Sequence, residues 1–98
     1  MVTHIVLWKL LDSAGGRTKI ENARIIKEKL ESLVGVVPGL ISARVGINPE
    51  GGEYDVALIS EFTDMEALKA YDTHPEHLKV REFVKKVRKS RTSFDFEY

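Results

Sequence analysis

Apolar positions along this chain recur with two periods, and the switches between them mark out its elements. Val2–Leu11 alternates with period two: His4, Val6, Trp8 and Leu10 fall on one side, and Ile5, Leu7 and Lys9 on the other. Tyr54–Phe62 behaves the same way, with Tyr54, Val56 and Leu58 opposed to Ala57 and Ile59. Strands apolar on both faces belong in the middle of a layered sheet. Leu40–Ile47 is one-sided, with Ile41, Ala43, Val45 and Ile47 opposed to Ser42, Arg44 and Gly46. Thr92–Tyr98 is one-sided too, with Phe94, Phe96 and Tyr98 opposed to Asp95 and Glu97. One-sided strands suit edges.

Between the strands the period changes to that of a helix. Thr18-Lys19-Ile20-Glu21 has the form of a capping box, and Ile20, Ala23, Ile26, Leu30, Leu33 and Val34 make one stripe as far as about Val34. Gly35 is the expected left-handed cap, and Pro38-Gly39 stops the helix. Thr63-Asp64-Met65-Glu66 opens a second helix containing Met65, Leu68, Ala70 and Tyr71. Thr73-His74-Pro75-Glu76 repeats the form, with proline in the first turn, and starts a helix to about Lys89 with Leu78, Phe83, Val84 and Val87 as its apolar positions.

The order is β-α-β-β-α-β. With the two-sided strands central and the one-sided strands at the edges, it predicts an α+β, ferredoxin-like βαββαβ fold with antiparallel sheet order 4-1-3-2. Two helices cover one face of such a sheet. The other face is expected to carry apolar groups from Val6, Trp8, Val56 or their pleat neighbours, with the phenylalanines of the last strand. A homodimer stacked sheet on sheet is the simplest cover, because a two-fold axis makes one patch self-complementary.

Composition narrows the function classes. The 98 residues suit a single domain over 1–98, and the 43% hydrophobic and 31% charged fractions suit a globular core with a solvated surface. Fifteen basic residues balance fifteen acidic ones, which argues against nucleic acid or an anionic membrane as partner. The run Lys85-Lys86, Arg88-Lys89 and Arg91 reads as a solvated helix face. Cysteine is absent, which excludes disulfides, thiolate metal sites and a cysteine nucleophile. The apolar start carries His4 and Lys9 and lacks a cleavage site, so it reads as a strand, with the cytoplasm as the expected compartment.

The densest set of proton-transfer groups is Tyr71-Asp72-Thr73-His74-Pro75-Glu76-His77. Imidazole exchanges protons near neutrality, and a helix N-terminus favours its neutral, basic form, so His77 is a candidate base with Tyr71 as a hydroxyl partner. The alternative is a pair of packing residues, with His77 at a helix start and Tyr71 over the core. His74 reads as a junction residue before proline. The three histidines match no common zinc spacing. A weaker metal candidate is a hard cation at the carbonyls near Glu31, Val34 and Val37. No glycine-rich phosphate loop, nucleophile elbow or acid pair is present.

The opening H-I-V-L-W-K, the V-P-G-L turn, Y-D-V-A-L-I-S-E-F, A-Y-D-T-H-P-E-H and the closing F-D-F-E-Y together resemble the stress-responsive alpha/beta-barrel domain family over nearly the whole chain. The resemblance implies dimers of ferredoxin-like subunits. Plant members include olivetolic acid cyclase, which closes a linear polyketide by an intramolecular aldol condensation. The tyrosine and second H-P-x-H histidine that act there fall on Tyr71 and His77, and a strand histidine of its pocket falls on His4. A further pocket histidine falls on Val56, and Trp8 replaces a smaller aliphatic residue. The implied function is a dimeric small-molecule-binding barrel for an apolar or aromatic ligand. Its lining would be His4, Val6, Trp8, Val56, Leu58, Tyr71 and His77, and any turnover would be cofactor-free and cyclase- or lyase-like. The alternatives are a stress-responsive protein whose assembly is its function, and a relative of the similarly shaped monooxygenases.

Overall fold

The computed structural model describes residues 1–98. Its elements are β1 (Val2–Leu10), β2 (Ser13–Ala14), β3 (Arg17–Thr18), α1 (Lys19–Glu31), β4 (Leu40–Ile47), β5 (Val56–Phe62), α2 (Met65–Thr73), α3 (Pro75–Val87) and β6 (Arg88–Glu97). The main sheet runs β4-β5-β1-β6, antiparallel throughout. Once the small hairpin β2–β3 is set aside, this is the expected 4-1-3-2 order. The hairpin itself lies between β1 and α1. Gly15 and Gly16 have φ of 61° and 76°, and positive φ at both central residues is what a two-residue type I′ loop requires.

Alternation along β1 and β5 decides what lies under the helices. Val2, Val6, Trp8 and Leu10 on β1, with Val56, Leu58 and Phe62 on β5, face α1, α2 and α3 and form the core with Ala23, Ile26, Leu30, Val80, Val84 and Val87. The other face carries their pleat neighbours. Ile5 pairs across with Ile59 and Phe94, Leu7 with Ala57 and Thr92, and Thr3 with Glu61 and Phe96. Val6, Trp8 and Val56 therefore belong to the covered face, and the open apolar patch is built from Ile5, Leu7, Ile59, Phe94 and Phe96. Ile59 is 43% exposed and Phe94 65%.

Several boundaries move for physical reasons. Helix α1 stops at Glu31, where the Ser32 hydroxyl donates to the Lys29 carbonyl at 2.8 Å, and Val34 ends in solvent beyond it. The capping box of α1 is present: Thr18 Oγ1 accepts from the Glu21 amide at 3.2 Å, and Glu21 Oε1 accepts from the Thr18 amide at 2.9 Å. At α2 the cap is Asp64 and not Thr63, its Oδ1 accepting from the Ala67 amide at 2.8 Å. Helix α3 buries Val80, Val84 and Val87, leaving Leu78 exposed. β6 begins at Arg88, directly after the helix, so the basic run is split between a helix end and a strand.

Two charged groups stabilise the ends of the sheet. Asp55 is buried, and its Oδ2 accepts from the Leu10 amide at 2.9 Å, with Lys9 and Lys19 each at 3.5 Å. Burial opposes ionisation there, yet the Leu10 amide and the two ammonium groups hold the carboxyl below its ordinary value. Glu31, placed near a hard cation by sequence, has its carboxylate engaged by Lys27 Nζ at 2.8 Å and the Val45 amide at 3.0 Å. The Glu31 and Val37 carbonyls accept from the Val34 and Leu40 amides.

Candidate functional site

The junction between α2 and α3 is a single residue. The His74 amide donates to the Tyr71 carbonyl at 3.1 Å and ends α2, while its ring Nδ1 accepts from the Glu76 amide at 3.1 Å and starts α3. A residue before proline favours extended backbone, and His74 has ψ of 133°. Pro75 then supplies a helical φ without wasting an amide. This elbow folds α3 back so that Tyr71, in the last turn of α2, meets His77, in the first turn of α3. Their ring centroids lie 4.0 Å apart with planes inclined by 31°.

Tyr71 is 2% exposed, and its ring meets Phe62 edge-on at 5.0 Å and His4 at 6.3 Å. No buried side-chain nitrogen or oxygen lacks a hydrogen-bond partner. Tyr71 lines the cavity described below. Burial, reinforced by the neighbouring Asp72 carboxylate, pushes the phenol well above its ordinary value and keeps it a proton donor.

His77 shifts the opposite way. Burial lowers its pKa below 6.5, and the nearby Arg81 guanidinium acts in the same direction, against the Asp72 carbonyl and carboxylate. Its Nδ1 lies 3.4 Å from that carbonyl, which can only accept, so this contact suits the tautomer with its proton on Nδ1 and Nε2 as the basic atom. His4 is buried on β1. Its Nδ1 bonds the Asp95 carboxylate of β6, directly across the strand pair.

These groups share one cavity of about 580 Å³ between the sheet and the helices. Of the residues expected in the lining, His4, Val6, Trp8, Leu58, Tyr71 and His77 all border it. Val56 does not. It is buried opposite Trp8 and Ile47, at the end of β5 farthest from His4, and Trp8 is the residue that reaches the cavity at that level.

Several lining groups escaped the sequence reading. Asp95 is one, although the sheet order and strand register together place it beside His4. Five more are cationic: Lys69, Arg81, Lys85, Arg88 and Arg91. Arg81, Lys85 and Arg88 each follow an inward-facing valine (Val80, Val84 and Val87), so they flank the apolar stripe of α3 and do not point directly away from it. That spacing was the available signal.

The profile of the stress-responsive A/B barrel domain matches residues 2–98. The chain belongs to this family. A dimeric ferredoxin-like protein of unknown function from Bacteroides fragilis is 35% identical, with a TM-score of 0.87 over 99% of this chain and 95% of the other. The Arabidopsis thaliana protein At3g17210 shares 18% identity and a TM-score of 0.82, covering 100% of this chain and 95% of its own. SnoaB, a cofactor-independent oxygenase from Streptomyces nogalater, superposes with a TM-score of 0.76 at 11% identity, over 99% of this chain and 91% of the other, a likeness of fold alone. A search of the curated proteins returned no match.

Proposed function

We propose that this family member is a homodimeric small-molecule-binding barrel whose cavity performs cofactor-free proton transfer at carbon next to a carbonyl. The stacked Tyr71–His77 pair carries this reading, because burial drives the two groups into complementary states, a neutral base and a protonated phenol. His77 Nε2 takes the proton from the carbon, the C–H electron pair moves into the carbonyl, and the oxygen that gains charge receives a hydrogen bond from the Tyr71 hydroxyl. The resulting enolate either regains a proton at carbon from the imidazolium or attacks a second carbonyl of the same molecule, whose alkoxide oxygen then takes that proton and restores neutral His77, as a cyclase requires. Asp95 holds the His4 ring at the same end of the cavity.

The dimer is supported by the open face of the sheet. Ile5, Leu7, Ile59, Phe94 and Phe96 form a continuous apolar surface on strands β5, β1 and β6, and burying it needs a second apolar face. The 35%-identical Bacteroides fragilis protein is described as dimeric. A two-fold stack of these faces is the assembly expected here.

Deuterium exchange at the carbons flanking the carbonyl of benzylacetone, followed by proton NMR, tests the chemistry. The protein accelerates exchange, and His77→Ala lowers the catalysed rate by about a hundredfold or more, the range for losing a positioned base. Tyr71→Phe gives a smaller loss. A folded, dimeric His77→Ala protein that exchanges at the original rate removes His77 from the mechanism.

A further inference from the structure

The charged residues of the cavity are not spread evenly along it. Residues on neighbouring strands mark three levels: Asp95 faces His4, Ser93 faces Val6, and Arg91 faces Trp8. His4 to Trp8 spans about 13 Å of strand. Helix α3 adds its own series along the cavity, from His77 through Arg81 to Lys85, about 12 Å of helix, and Arg88 follows at the start of β6. Tyr71, His77, His4 and Asp95 therefore form one end. Val6, Leu58, Val80 and Val84 line the middle, and Arg91 stands beside Trp8 at the other end.

The charges at this cavity do not cancel as they do over the whole chain. Lys69, Arg81, Lys85, Arg88 and Arg91 line it against only Asp72 and Asp95 as carboxylates. Asp72 is taken by Arg81 at 3.0 Å, and Asp95 by His4. Lys85 has only a loose contact with Glu82, at 3.8 Å. Lys69, Arg88 and Arg91 pair with no carboxylate in the chain. Uncompensated like charges beside a concave apolar wall repel one another and focus a positive potential into the cavity.

We infer that the ligand is an amphipathic organic anion. Its carboxylate or similar anionic group lies between Arg88 and Arg91, its apolar body runs along Val6, Trp8 and Val84, and its carbonyl reaches the Tyr71–His77 end. The inference rests on the small-molecule reading above and adds to it a charge, a length and a direction. Guanidinium groups match a carboxylate in a planar, two-pronged geometry, and they stay charged at every relevant pH. The basic run is thereby a selectivity device for one end of the substrate. Its members Lys86 and Lys89, absent from the lining, are left to solvent.

Two probes of one shape test this: phenylhexanoate and its primary amide, titrated against quenching of Trp8, the single tryptophan. At low salt the acid binds about tenfold or more tightly than the amide, the order expected of charge-assisted hydrogen bonds. That advantage shrinks toward unity near about 0.5 M salt. It also disappears in the Arg88→Gln/Arg91→Gln double variant, in which acid and amide bind equally and saturable quenching by the amide shows an intact cavity. Equal binding of acid and amide by the wild-type protein, or an advantage that survives the double substitution, overturns the anion inference and leaves the cavity standing. Binding of neither probe overturns the small-molecule reading, and the inference with it.

Discussion

The two faces of the main sheet have similar strands and opposite fates. Beneath the helices, Val6, Leu58 and Phe62 are almost completely buried, and the polar groups among them are satisfied: Ser60 donates to the His4 carbonyl at 3.1 Å, and His4 bonds Asp95. One residue along in each strand, Ile5, Ile59 and Phe94 look outward with nothing from their own chain above them. The covered face therefore stabilises the subunit and encloses the cavity, whereas the open face, in the function proposed above, acts only when a second subunit is present. Because side chains alternate with period two, a shift of a single position moves a substitution from one role to the other.

Paired substitutions separate these roles most sharply at Val6 and Ile5. Val6→Asp puts an unpaired charge into the covered face and costs several kcal/mol, enough to unfold a domain of this size. Ile5→Asp leaves a folded subunit that no longer dimerises. Circular dichroism with sedimentation velocity distinguishes the two, and equal effects at both positions would erase the distinction. A smaller contrast is expected at the aromatic residues. Phe62→Ala, removing a fully buried ring that supports Tyr71, costs about 3–5 kcal/mol. Phe96→Ala, on the open face, changes subunit stability by about 0.5 kcal/mol or less and acts mainly on the dimer constant. Denaturant melts at several protein concentrations measure both.

The smallest effect concerns pH. The folded state holds His77 below its ordinary value of 6.5, so the unfolded chain takes up the proton first as pH falls. This residue's contribution to stability is intact at neutral pH, is lost as pH drops from 6.5 through the lower folded value, and changes no further beneath it. Thermal midpoints of the wild type and His77→Gln should converge in acid relative to neutral pH. A constant gap across that range would show that burial does not perturb His77. The same shift extends the basic limb of any His77-dependent exchange toward acid.

Much of the architecture was legible because strand sidedness carries it. Two-sided Val2–Leu11 and Tyr54–Phe62 had to be central, and with the β-α-β-β-α-β connectivity that orders the sheet. The errors arose where a local pattern needed a long-range fact. Val6, Trp8 and Val56 could be grouped on one face, but which face the helices cover depends on how α1 and α3 dock. Tyr71 and His77 stood out as chemistry, yet their stacking comes from the one-residue elbow at His74, which spacing does not reveal. The His4–Asp95 pair joins opposite ends of the chain and requires the register of β1 with β6. The cations of the cavity were hidden because a basic run near a helix end is usually a solvated face, and here the helix becomes a strand in the middle of that run, at Arg88.

The central claim is that the ligand-binding chemistry lies under the helices and the open face serves assembly alone. NMR of the dimer with selectively labelled histidine and aromatic rings, titrated with benzylacetone, tests it directly. Resonances of His77, Tyr71 and Trp8 should move together and saturate, with His77 titrating below 6.5, while those of Phe94 and Phe96 stay fixed. Saturable shifts confined to Phe94 and Phe96, with the His77 and Tyr71 signals unmoved, would place the ligand on the open face and contradict the account.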